Sequence, residues 1–441
     1  MERTLASLAG RSVVVLAALA LAILPRADAR AAQPAALQAA PAVQAWVQLT
    51  GRGAEARAVT HDGRCPDAVV DGAAQQMQPR AAPDADFPIA VCQLRLPKTA
   101  ARVEVAGRSL PLPAERPKRL VVFGDTGCRL KGDKVQACDD AAAWPFAAVA
   151  RLAAAHHPDL VIHVGDYYYR ESACPAGQAG CAGSPWGDNW ATWDADFFSP
   201  AAPLLSAAPW VMARGNHEDC ERGGPGWFRL LDGAAPARTC PAASDPMVID
   251  LGALTLYVLD SATTADRTAP FAAVAAFRRQ LDALIKTPPT GPAWIVTHRP
   301  IWGLVPVARV GPMGPFEVPI NATQQAAVRG RDLSAVRLVV SGHIHHFASF
   351  SFAGGERPAQ LIVGTGGDVG EAADTPKFLD DEVTLDRKLA RRFGFDRFGF
   401  LMLERTGDAW SGDFYDVRDQ PIAHCRLVGR ALACRASAST R

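Results

Sequence analysis

Five times along this chain an apolar run of strand character stops at a short segment carrying carboxylate, amide or imidazole groups. The segments are Gly124-Asp125-Thr126-Gly127, Gly165-Asp166-Tyr167-Tyr168-Tyr169, Gly215-Asn216-His217-Glu218, Thr297-His298-Arg299-Pro300 and Gly342-His343-Ile344-His345-His346. The first two follow Leu120-Val121-Val122-Phe123 and Leu160-Val161-Ile162-His163-Val164. Apolar stretches this short and this continuous suit strands buried on both faces. Between them, residues 141–156 are rich in Ala and helical in pattern, with Pro145 acceptable only in the first turn. Strand, helix, strand in that order is a βαβ unit, which requires a covered sheet with a parallel core. In such sheets ligands bind beyond the strand ends, where these five polar segments fall.

The same reading places further strands at 209–213, 254–259, 294–297, 338–341 and 361–363, and helices at 271–285 and 322–329. Upstream, from 45 to 112, short alternating runs are separated by Gly, Pro and Asp clusters, the pattern of a small β domain. Pro111, Pro113 and Pro117 read as the linker out of it. The expected organisation is a signal peptide at 1–29, a leader with the small β domain at 30–117, and a catalytic domain at 118–441.

The signal peptide rests on Arg3 and Arg11 ahead of an apolar run at 13–24, with Ala27-Asp28-Ala29 as a small-x-small site. No later stretch is apolar and long enough to span a bilayer, so the expected location is secreted or periplasmic. Export favours oxidation, and the ten cysteines fall in neighbouring couples: Cys65 with Cys92, Cys128 with Cys138, Cys174 with Cys181, Cys220 with Cys240, and Cys425 with Cys434. A thiolate zinc site is the rival reading, weakened by the absence of any C-x-x-C pair. With 46 basic and 45 acidic residues the chain carries no field suited to wrapping nucleic acid. Any affinity for phosphate must be local.

The five segments offer Asp, Asp, Tyr, Asn and three His, enough donors for two metal ions that each keep open positions. Their order, GDxG, GDxxY, GNHE, a strand-end His and GHxH over residues 120–346, resembles the purple acid phosphatase branch of the calcineurin-like metallophosphoesterases. The resemblance implies an α/β fold, a β-sandwich flanked by helices, and an Fe(III) ion beside a divalent Fe, Zn or Mn. It implies Asp125, Tyr169 and His345 on the ferric ion, Asp166 bridging, and Asn216, His298 and His343 on the divalent one. Asp125 is followed by Thr126-Gly127 where many relatives carry D-x-H, and the phenolate of Tyr169 supplies the missing donor as a hard anionic oxygen suited to Fe(III).

The activity so implied is hydrolysis of phosphate monoesters, with a metal-held hydroxide as nucleophile and His217 as proton donor to the leaving alcohol. Glu218 is the expected partner of an imidazole. The chain departs from the family pattern after His298, where no further histidine precedes His343. Arg299 and His346 are the candidates to take over that phosphate contact, a surface or packing role being the alternative for each. The alternatives are a phosphodiesterase or nucleotide-hydrolysing enzyme on the same metals and, from another class, a non-catalytic binding protein. The segment from Cys174 to Trp193, with Trp186 and Trp190, is either a roof over the site or a packed loop.

Overall fold

Two large mixed sheets lie face to face, each built around a parallel centre. The computed structural model describes residues 43–234, 239–307, 316–369 and 378–437. The signal peptide and leader expected at 1–29 and 30–42 lie outside these residues. In the first sheet Arg119–Phe123, Leu160–His163, Trp210–Met212 and Val43–Thr50 run parallel to one another in that order. In the second, Thr255–Leu259, Ala293–Thr297, Val336–Ser341 and Ala359–Val363 do the same. Antiparallel strands extend both sheets at their margins, giving, among the described residues, eleven strands in one and eight in the other.

The period-2 geometry of a strand explains why the central runs are apolar throughout. Leu120, Val122, Leu160 and Ile162 point into the sandwich, against Leu256, Val258, Trp294, Val296, Leu338 and Val340 of the other sheet. The intervening Val121, Phe123 and Val161 point outwards, against Phe146, Val149 and Ala153 of the helix Phe146–Ala155. That helix starts just after Pro145, where a missing N–H costs no hydrogen bond. On the opposite outer face, Phe277, Leu281 and Leu284 of the helix Phe271–Ile285 pack on Ile295 and Val339. The expected sandwich flanked by helices is thus the observed one.

The N-terminal β segment does not stand apart from the catalytic strands. Val43–Thr50, Gly53–Thr60, Ala90–Arg95 and Gln78–Ala81 continue the first sheet, through the parallel pairing of Gln48 with Trp210. Asp67–Val70, Ala73–Gln76, Val103–Val105 and Arg108–Leu110 form a separate four-stranded sheet. Its Ala68, Val70, Val103 and Val105 share a core with Val47, Ala56 and Ala58.

All five expected cysteine couples are disulfides. Cys128–Cys138, Cys174–Cys181 and Cys220–Cys240 close loops immediately after the first, second and third motif segments. Loops this short restrict the unfolded chain by ~2–3 kcal/mol each. Among the described residues, no helix is long and apolar enough to cross a membrane.

Candidate metal centre

At the ends of the parallel strands the chain turns sharply, and three of the polar residues there take left-handed backbone conformations: Asp125 (φ 58°), Asp166 (φ 59°) and His343 (φ 70°). Non-glycine residues avoid this region, and such strain is tolerated where the surroundings fix it. The surroundings do so here. The Asp125 and Thr126 amides donate to the Gly165 and Asp166 carbonyls, each at 2.9 Å, and the His343 amide donates to the Asp125 carboxylate at 3.1 Å. Gly165 (φ 101°) has no permissible substitute, because a Cβ there would lie 2.6 Å from Nδ1 of His298.

The side chains converge in two groups, Asp125, Asp166 and His345 on one side and Asp166, His298 and His343 on the other. Within each group the candidate ligand atoms all lie within 4.8 Å of one another. Asp166 belongs to both groups. Its Oδ1 accepts from the His217 amide at 2.9 Å, while Oδ2 faces the Tyr169 hydroxyl at 2.8 Å and Nε2 of His298 at 3.0 Å. The Tyr169 hydroxyl also lies 3.1 Å from Oδ1 of Asp125 and 3.0 Å from Nε2 of His345. Tyr167 and Tyr168, its neighbours in the motif, are instead buried among Trp193, Phe197 and Trp227. Asn216 joins the second group through Oδ1, 3.0 Å from Nε2 of His298.

Counting protons shows what this arrangement suits. Nδ1 of His298 lies 2.9 Å from the Val164 carbonyl and Nδ1 of His345 lies 3.0 Å from the Val369 carbonyl, so in the neutral rings these nitrogens carry the hydrogen. Each Nε2 is then a lone pair. For His298 that lone pair meets a carboxylate and an amide oxygen, both acceptors; for His345 it meets a carboxylate and a phenol with one proton to share. Buried acceptors facing acceptors are expensive unless a cation lies among them. Charge gives the same result. Burial would lower the His345 imidazolium, but Asp368 and Asp125 raise it to about 9. Burial, with Asp166 and Asp125, pushes the Tyr169 phenol well above its usual range. The cluster therefore suits positive charge, and the donor set of carboxylates, imidazoles, amide and phenol fits a pair of hard to borderline metal ions.

Around these groups lie acidic residues that the motif pattern alone does not single out. Glu171 lies against Nδ1 of His217, 3.5 Å from Nη1 of Arg222. Asp196, fully buried, accepts from the Cys128 amide at 3.1 Å, the Tyr169 amide at 2.8 Å and Nε of Arg170 at 2.6 Å, fastening the first two motif loops together. Asp368 lies 3.3 Å from Nδ1 of His345 and accepts from Nε of Arg129 at 3.0 Å, and that guanidinium lies 5.1 Å from the centre of the Tyr169 ring. Only Glu171, two residues after Tyr169, and Asp368, just after Gly364-Thr365-Gly366-Gly367, had a local signal.

Glu218 differs from its expected part. Among the described residues it makes no hydrogen bond to an imidazole, but accepts the amides of Gly215, Asp166, Tyr167 and Tyr168 at 2.8–3.1 Å, holding the second and third motifs in register. Of the two substitutes for the missing histidine, Arg299 faces the site, with Nη1 2.9 Å from Nε2 of His343. His346 has no side-chain hydrogen bond to either group among the described residues, and burial with the charges of His345 and Arg392 lowers it to about 4. In the Cys174 to Trp193 segment, Trp190 and Trp193 are buried and packed, whereas Trp186 is 53% exposed.

A family model described as calcineurin-like phosphoesterase matches residues 118–347, more than half of the chain and all five segments. The chain belongs to the calcineurin-like phosphoesterase family. It is a metal-dependent hydrolase of phosphoric esters, and the family implies a dinuclear centre where the two groups meet. Among solved structures it is similar to the purple acid phosphatase PPD1 from seeds of yellow lupin (Lupinus luteus), at TM-score 0.53 and 15% identity, covering 89% of this chain and 74% of that one. It is also similar to PhoD, at TM-score 0.51 and 12% identity, covering 90% and 92%. At such identities the likeness is one of fold. No curated protein sequence matches the chain.

Proposed function

We propose that this calcineurin-like phosphoesterase is an exported hydrolase of phosphate monoesters, with an Fe(III) ion held by Asp125, Tyr169 and His345 and a divalent Fe, Zn or Mn held by Asn216, His298 and His343. Asp166, which belongs to both groups, would be the ligand they share. The observation that carries this reading is the Tyr169 hydroxyl, set among Asp125, Asp166 and His345 at 2.8–3.1 Å. A phenol so placed would serve as a ligand, its proton lost to solvent because a strong Lewis acid lowers its pKa. Bound there, the two ions would supply neutralisation of phosphate oxygens and a water of lowered pKa as the nucleophile. His217 holds the proton for the leaving alcohol, with Glu171 on Nδ1 and Nε2 directed to within 4.0 Å of Asp166. Arg299 orients a phosphate oxygen. The apolar run and small-x-small site at the N-terminus, with five disulfides, support export.

Substrate class is tested by comparing p-nitrophenyl phosphate with its bis ester on one metal-loaded preparation. The expected result is the larger kcat/KM for the monoester; faster diester turnover would overturn the monoester assignment. The ferric assignment is tested by colour. Oxidised protein should absorb visible light, and Tyr169→Phe should remove the band while leaving metal bound through the remaining ligands. A two-metal protein that stays colourless when oxidised excludes Fe(III)–phenolate and leaves a zinc or manganese pair.

A further inference from the structure

Asp266 lies outside all five motif segments, on the loop that follows the strand Thr255–Leu259. A single oxygen, Oδ1, meets Nε2 of His343 at 3.1 Å and also Nη1 of Arg299. The loop is held in place. The Asp266 carbonyl accepts from the Ala322 amide at 2.9 Å, and the Ala265 amide donates to Oγ1 of Thr323 at 3.1 Å, both at the start of the helix Ala322–Val328. The Arg299 amide is fixed in turn by Oγ of Ser261 at 2.9 Å, on the same loop. Nε of Arg299 is buried and has no partner among the described residues, leaving donor capacity for an oxyanion.

Nε2 of His343 lies between the Asp266 carboxylate and Nη1 of Arg299, 2.9 Å away; in the tautomer that donates from Nε2 to Asp266, Nδ1 is the lone pair free for a metal ion. The same oxygen restrains the Arg299 fork, so one side chain sets two orientations.

We infer that Asp266 is a positioning residue that couples the affinity of the Asp166, His298 and His343 metal site to the grip of Arg299 on the substrate phosphate. This rests on the phosphoesterase function proposed for the same site.

The test uses Asp266→Asn, Asp266→Glu and Arg299→Gln in the metal-loaded protein, with circular dichroism confirming the fold. Metal release is followed against graded chelator, and kcat, KM and inhibition by inorganic phosphate are measured with p-nitrophenyl phosphate. In Asp266→Asn one of the two metals should leave at ~10–100-fold lower chelator strength. KM should rise, phosphate inhibition should weaken, and Asp266→Glu should recover part of both. Arg299→Gln should raise KM and weaken phosphate inhibition with both metals retained. Wild-type metal retention in Asp266→Asn, or wild-type KM and phosphate inhibition in that variant, overturns the coupling, as does metal loss from Arg299→Gln. Wild-type protein that binds no metal would instead overturn the phosphoesterase function itself, so the two failures are distinguishable.

Discussion

Asp166→Ala is expected to lower kcat by about 10³-fold or more, about 4 kcal/mol of transition-state stabilisation, and to reduce bound metal in the same preparation. The size of the effect follows from position. Asp166 is the one residue shared by the two candidate ligand groups, and its Oδ2 faces both the Tyr169 hydroxyl and Nε2 of His298. Removing it separates Asp125 and His345 from His298 and His343, and leaves buried imidazoles without the anion that balances them. Oδ1 also fixes the His217 amide, so the proton donor loses its anchor in the same variant. Kinetics with p-nitrophenyl phosphate and elemental analysis check both parts. Unchanged turnover with both metals retained would mean that the two groups are not one centre.

Trp210→Ala should destabilise the protein by about 3–5 kcal/mol while leaving metal binding in the folded fraction intact. Trp210 is fully buried on the strand Trp210–Met212, pairing with Val161 on one side and Gln48 on the other. Its ring packs edge-on against Phe123 and Phe197 at centroid distances of 5.9 and 5.8 Å. Its Nε1 donates to the Leu204 carbonyl at 3.3 Å. Truncation opens a cavity where the N-terminal strands, the catalytic strands and the helix Ser199–Leu205 meet. None of these contacts reaches the ligand groups directly. Urea unfolding followed by tryptophan fluorescence checks the loss. A change below about 1 kcal/mol would mean that the junction relaxes around the void.

Much of the centre was legible because it is local. A doubly buried strand must be apolar throughout, and its end must turn, so an apolar run followed by Gly-Asp or Gly-His marks both the strand and the donor beyond it. That is why Asp125, Asp166, Asn216, His298, His343 and His345, each a weak signal alone, could be picked out jointly from five such segments in order, and why the helix Phe271–Ile285 matches its expected span. Tyr169 was separable from Tyr167 and Tyr168 by spacing, and the structure puts the other two in an aromatic core. The cysteine couples were legible for the same reason, since each closes a short loop.

Other features depended on pairs distant in sequence. Gln48 pairs with Trp210, and nothing in the alternating pattern of residues 45–112 distinguishes a strand that joins a neighbouring sheet from one that stays in its own. Asp196 and Asp266 are single acidic residues on connecting segments, where sequence cannot separate a buried clamp from a solvated carboxylate. Glu218 carries the family motif, yet only the folded chain aligns four backbone amides on it rather than an imidazole. The strands and the donors at their ends follow from short-range periodicity and backbone turns, and so are written in the order of the residues. The tertiary structure alone decided which carboxylates orient those donors, because that depends on loops from different strands meeting at one sheet edge.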